Sequence, residues 1–87
     1  MRFGVIGAGR IGKIHGGNIA RRADCAVAQV ADADSGAAEA LAAATGAQVG
    51  TVETILAAKD IDAVAICSPT DTHAELIERA AKAGKAI

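Results

Sequence analysis

The chain has 87 residues, a formal net charge of −1 and a hydrophobic fraction of 52% with almost no aromatic residues. That length suits one small domain with a marginal core, because a chain of this size buries only about 60–65% of its unfolded surface. The balanced charge gives no basic field for nucleic acid, no apolar run reaches the roughly 18 residues of a membrane span, and Arg10 with its neighbouring glycines interrupts the first apolar run too early for a signal peptide, so a soluble cytoplasmic protein is expected.

The first element is a short apolar strand over 2–6, ending Phe3-Gly4-Val5-Ile6. A glycine-rich turn, Gly7-Ala8-Gly9-Arg10-Ile11-Gly12, follows it and opens a helix over 10–22, with Ile11, Ile14 and Ile19 expected on one side. Such a turn presents backbone N–H groups at a helix N-terminus, where partial positive charge suits a pyrophosphate. Gly7 allows the tight turn, Gly9 leaves room for the diphosphate, and Gly12 lets the helix lie close to the sheet. Gly16 and Gly17 inside the helix cost about 1 kcal/mol each relative to alanine, which close packing of that helix would explain.

A second strand over 27–32 ends in Asp32, about 20 residues beyond the turn, where this motif requires an acid. The carboxylate can accept both hydroxyls of the adenosine ribose and repels a 2′-phosphate. No arginine follows to reverse that preference, so NAD is the expected cofactor rather than NADP. A second helix over 35–45 has Asp34 or Ser35 as its N-cap and Gly46 as its stop. A short third strand over 48–50 and a third helix between Thr51 and Lys59 come next.

The fourth strand, over 63–67, is a continuous apolar run, as expected for a strand covered on both faces. The loop Ser68-Pro69-Thr70 leads into a fourth helix over 72–83, with Thr72 and Glu75 at capping-box spacing. Its inner face is expected to be Ala74, Ile77, Ala80 and Ala81, with Glu75–Arg79 and Glu78–Lys82 pairs outside. Lys85-Ala86-Ile87 reads as the start of a fifth strand.

Strands alternating with helices predict an α/β fold of the Rossmann type. Its sheet is parallel and doubly wound, in strand order 3-2-1-4 with a fifth beginning, and helices lie on both faces. Ligand binds beyond the carboxyl ends of the strands where that order reverses. The glycine turn, Asp32 and the loop Ser68-Pro69-Thr70 therefore share one rim.

Rival readings are weaker. Gly7 to Lys13 matches the start of a nucleotide-triphosphatase P-loop, but Ile14 stands where that motif needs Ser or Thr for magnesium. A methyltransferase fold has a similar glycine loop without the full three-glycine spacing. Cys25 and Cys67 fit no metal or redox spacing and read as reduced thiols on buried strands. His15, inside the first helix, and His73 have no partner in sequence that makes a catalytic relay, and Lys13 reads as a surface residue.

Gly7-Ala8-Gly9-Arg10-Ile11-Gly12 with His15, the strand end Val30-Ala31-Asp32-Ala33-Asp34 and the stretch Ser68-Pro69-Thr70-Asp71-Thr72-His73 resemble the N-terminal domain of the glucose–fructose oxidoreductase/inositol dehydrogenase family. Within that family the chain is most similar to inositol 2-dehydrogenases. The resemblance covers all 87 residues. It implies an NAD-dependent enzyme that oxidises myo-inositol to its 2-keto product. A homo-oligomer is expected, since the open edge on the fourth strand invites dimerisation. The resemblance also implies that Gly7, Ala8, Gly9, Arg10, Ile11 and Gly12 hold the pyrophosphate and Asp32 the ribose, while Ser68, Pro69, Thr70 and His73 flank the cofactor near its ribose and nicotinamide. In the family a lysine in a Glu-Lys-Pro motif and a distal Asp/His pair carry the chemistry. None of these is in this sequence, so residues 1–87 are expected to be an incomplete dinucleotide-binding domain without the substrate domain, with no catalytic and no metal-ligating residue of its own. A polyol or sugar partner is expected only for the full-length protein. The alternatives are a non-catalytic dinucleotide-binding module and a truncated structural fragment.

Overall fold

A computed structural model describes residues 1–67 and 73–87. Strand β1 (Arg2–Ile6) lies between β2 (Ala26–Ala31) and β4 (Ala63–Ile66), and β3 (Gln48–Val49) pairs with β2. All pairings are parallel and the order is β3-β2-β1-β4, as expected from the alternation. A fifth strand begins on the outer edge of β4. Ala86 forms a parallel bridge with Ala63, and the amide of Val64 donates to the Ala86 carbonyl at 2.9 Å.

Helices α1 (Arg10–Ala20) and α2 (Ser35–Thr45) cover one face of the sheet, and α3 (Val52–Ala57) and α4 (His73–Lys82) cover the other. The core is correspondingly double. Val5, Ala8, Val27, Val30 and Leu41 bury together under α1 and α2; Ile6, Ala31, Ile55, Ile61, Val64 and Leu76 do so under α3 and α4. Neighbours such as Val5 and Ile6 part to opposite faces because successive strand side chains alternate. In β2 the alternation is broken by one extra residue. Phe3 pairs with Val27 but Gly4 with Gln29, so Ala28 bulges. That bulge lets Val27 and Val30, three positions apart, join the same cluster.

Local chemistry sets the ends of the helices. Asp34 is the N-cap of α2, its Oδ1 accepting from the Ala37 amide at 3.2 Å, and Gly46 closes that helix in the left-handed region at φ 75°. Thr51 and Thr54 form a reciprocal capping box on α3. The Nζ of Lys85 donates to the carbonyl oxygens of Ala58 and Ile61, tying the start of the fifth strand to the loop before β4. Two outward pairs on α4 form as expected, Arg79–Glu75 at 4.0 Å and Lys82–Glu78 at 3.2 Å, and Arg79 also reaches Glu53 of α3 at 3.1 Å.

Two helix faces differ from expectation. On α1 the buried positions are Gly12 and Gly16, while Ile11 and Ile14 are exposed and only Ile19 packs on the core. The helix approaches its neighbours too closely for large side chains. A β-carbon on Gly16 would already touch Leu41 Cδ1 at 3.4 Å. On α4 the inner face is Leu76 and Ala80, whereas Ala74, Ile77 and Ala81 face outward. Leu76 and Ala80, four positions apart, join the cluster of Ile61 and Val64, and the adjacent Ile77 is thereby turned to the outside. Cys25 and Cys67 are half-buried and sit at strand ends, not inside buried strands. The expected capping partner Thr72 lies outside the described residues.

Candidate functional site

The turn after β1 is built by two short contacts. Gly7 takes φ 104°, a conformation that a side chain disfavours, and its amide donates to the Ala31 carbonyl at 2.8 Å. Gly12, one turn into the region of α1, lies directly over it. A β-carbon on Gly12 would stand 1.9 Å from the Gly7 carbonyl oxygen and 3.7 Å from Cys67 Cβ. Gly7 and Gly12 are therefore demanded by the fold itself.

Gly9 is different. It is exposed, its backbone (φ −76°, ψ −160°) is open to any residue, and a β-carbon there would meet nothing within 4 Å. It also stands at the N-terminus of α1, which has no side-chain cap and no acidic residue in its first turn. Helices α2 and α3, by contrast, are capped by Asp34 and Thr51. Among the described residues no group accepts from the amides of Gly9, Arg10, Ile11 or Gly12. Four donors without an acceptor among the described residues, the positive end of a helix dipole and the exposed side chain of Arg10 thus gather at this turn, an arrangement suited to an anion.

Asp32 stands beside this turn at the end of β2. Its Oδ2 accepts from the Ala8 amide at 2.7 Å and its Oδ1 from the Asp34 amide at 2.8 Å. A carboxylate has about four acceptor positions, so both oxygens retain capacity for hydroxyl donors. Next to it a largely apolar cleft of about 600 Å³ opens beyond the carboxyl ends of β1, β2 and β3. Ile6, Gly7, Ala31 and Asp32 form its floor, with Gly50, Thr51, Val52 and Leu76 along its walls. Glu75 of α4 also lines it, and a flat apolar ring bearing a sugar fits this combination of apolar wall and the Asp32 carboxylate.

The structure thus brings Gly7, Ala8, Gly9, Arg10, Ile11, Gly12 and Asp32 to one rim. Ser68, Pro69 and Thr70 lie outside the described residues, and His73 opens α4. His15 lies on α1, lining a shallower groove with Asn18, Arg22 and Cys67 on the β4 side. Burial pushes the Cys67 thiol above its ordinary range, which holds it in the uncharged form. The walls formed by Gly50, Thr51 and Val52 were not singled out by sequence. The available signal was topological, since every loop leaving a carboxyl end of a parallel sheet opens on the same rim.

Known proteins share this sequence and fold. An inositol 2-dehydrogenase of Rhizobium meliloti (strain 1021) is 60% identical over 87 residues, matching 100% of this chain and 26% of its own length. A myo-inositol 2-dehydrogenase of Thermotoga maritima is 34% identical over 89 aligned residues, again 100% of this chain and 27% of the relative. The crystal structure of a myo-inositol dehydrogenase from Lactobacillus casei in complex with NAD(H) and myo-inositol superposes with a TM-score of 0.91 at 30% identity, covering 98% of this chain and 26% of that one. The chain spans about a quarter of the length of these relatives. The family model for the oxidoreductase family with an NAD-binding Rossmann fold matches residues 1–87 throughout. With the uncapped glycine turn, the acid at the end of β2 and this match over its whole length, the chain belongs to the GFO/IDH/MocA oxidoreductases and is their NAD-binding Rossmann domain.

Proposed function

We propose that residues 1–87 hold the cofactor for an NAD-dependent dehydrogenase that oxidises a polyol hydroxyl, of the inositol 2-dehydrogenase kind, converting myo-inositol to its 2-keto product. The observation that carries the cofactor site is the open space at Gly9 in front of an uncapped α1, beside the Asp32 carboxylate. The amides of Gly9, Arg10, Ile11 and Gly12 would receive the pyrophosphate, with Gly7 and Ala8 shaping the turn. Asp32 would take the adenosine ribose, and the cleft lined by Val52 and Leu76 the adenine. Ser68, Pro69, Thr70 and His73 would flank the ribose and nicotinamide. The cofactor, when bound, accepts the hydride; the residues of this chain bind and orient it, and none is assigned to proton transfer. The 60% identity to the Rhizobium meliloti enzyme supports the polyol class.

Titration calorimetry with NAD and NADH tests the cofactor site. Saturable binding is expected, and no binding at millimolar cofactor by a folded sample overturns it. The same reading takes a homo-oligomer as the working form, in keeping with the exposed apolar side chains of Ile11, Ile14 and Ile77. Size-exclusion chromatography with light scattering checks this, and a strict monomer at high concentration argues against it.

A further inference from the structure

Asp32 is bonded before any ligand arrives. One oxygen holds the Ala8 amide at 2.7 Å and the other the Asp34 amide at 2.8 Å, so a single carboxylate ties the turn after β1 to the turn after β2. Ala8 cannot swing away, because its side chain is fully buried in the cluster under α1 and α2. Its neighbour Gly7 is fixed from the same side, its amide on the Ala31 carbonyl at 2.8 Å. The first two amides of the turn thus bond to the end of β2, and the next four have no acceptor among the described residues.

We infer that Asp32 is a positioning residue for the glycine turn as well as the ribose acceptor, so that the pyrophosphate and ribose halves of the site are coupled through one carboxylate. This rests on the cofactor reading given above. The two roles do not compete, since a carboxylate accepting two amides keeps about two further acceptor positions for the ribose hydroxyls. Asparagine at this position would keep one acceptor oxygen and set an NH₂ group against one of the two amides, so one of the ties must break.

The coupling is read with two ligands, NAD and an NAD analogue whose adenosine carries neither the 2′- nor the 3′-hydroxyl. If Asp32 served only the ribose, Asp32→Asn would weaken NAD and leave the analogue unchanged, or tighten it, because a negative charge near the diphosphate is removed. With the coupling, Asp32→Asn weakens the analogue as well, by about tenfold, the size of effect expected for one charge-assisted hydrogen bond. Unchanged or tighter analogue binding overturns the inference. Amide hydrogen exchange on the unsubstituted protein supplies a second measurement that needs no variant. The Ala8 amide is expected to exchange far more slowly than that of Gly9 in the ligand-free state, and equal rates overturn the inference even where Asp32→Asn fails to fold. If the unsubstituted protein binds neither ligand, the cofactor reading falls and the coupling with it. If it binds both and the variant discriminates only NAD, the cofactor reading stands and the coupling alone is lost.

Discussion

Gly12 lies so close to Gly7 that a β-carbon on the first would sit 1.9 Å from the carbonyl oxygen of the second, whereas one on Gly9, between them in sequence, would touch nothing. The three glycines of one motif therefore answer to different demands. Gly12→Ala must displace α1 from the end of β1 and is expected to lower stability by about 1–3 kcal/mol or more, the usual cost of forcing atoms into a packed site. Gly9→Ala is expected to change stability by less than about 1 kcal/mol while weakening NAD at least about tenfold, since its methyl group occupies the space left for the diphosphate. Urea denaturation together with NAD titration of both variants separates the two. A Gly9→Ala protein with native NAD affinity would remove the argument for an anion at α1.

NADP is expected to bind at least about tenfold more weakly than NAD, a difference of ~1.4 kcal/mol. Its extra phosphate would have to sit against Asp32, with Asp34 two residues on already capping α2. Asp32→Ser is expected to narrow the gap by weakening NAD and sparing NADP. Competition binding of the two cofactors measures it, and equal affinities in the unsubstituted protein contradict the assignment of Asp32 to the ribose.

Gly4 in β1 faces Ile55, which is fully buried, and a β-carbon on Gly4 would stand 2.4 Å from Ile55 Cγ2. Gly4→Ala is expected to destabilise by about 1–3 kcal/mol through overpacking. Combined with Ile55→Ala, its added cost should largely vanish, because the two positions share one space. Additive effects of the two substitutions in a double-mutant cycle would show that α3 moves away from the strand instead.

Burial raises the Cys67 thiol above its ordinary value of 9.0, so the folded state holds that proton more tightly than the unfolded chain. Stability from this thiol is fully present below the unfolded value and is lost as pH rises through the higher folded one. The urea midpoint of the protein relative to Cys67→Ala is therefore expected to be flat from neutral pH to about 8 and to fall beyond the unfolded thiol value near 9. A difference that grows with rising pH has the wrong sign for a desolvated thiol.

Much of the site was legible because its demands are local. A glycine that must turn, a glycine that must admit a helix and an acid at the end of the next strand leave fixed spacings in sequence, and the structure brings all of them to one rim. The helix faces were not legible in the same way. On α1 the isoleucines carry the apolar signal, yet Ile11 and Ile14 face outward and Gly12 and Gly16 face in, because Gly12 lies where no β-carbon fits against Gly7 and Gly16 packs close to Leu41. Periodicity reports where apolar side chains are, and cannot report that a face is filled by having none. The bulge at Ala28 was equally hidden, since it depends on how β1 and β2 register against each other.

The amino-acid sequence by itself determined the order of strands and helices, the direction of the sheet and the glycine turn with its acid, because each follows from backbone preference or from chemistry within a few neighbouring positions. Only the tertiary structure decided which side of α1 and α4 is buried, which wall lies beside Asp32, and that the same carboxylate clasps the Ala8 amide. Those depend on distances between different elements, Ala8 and Asp32 among them with a sequence separation of 24, and such distances are fixed by packing of whole layers rather than by any local pattern.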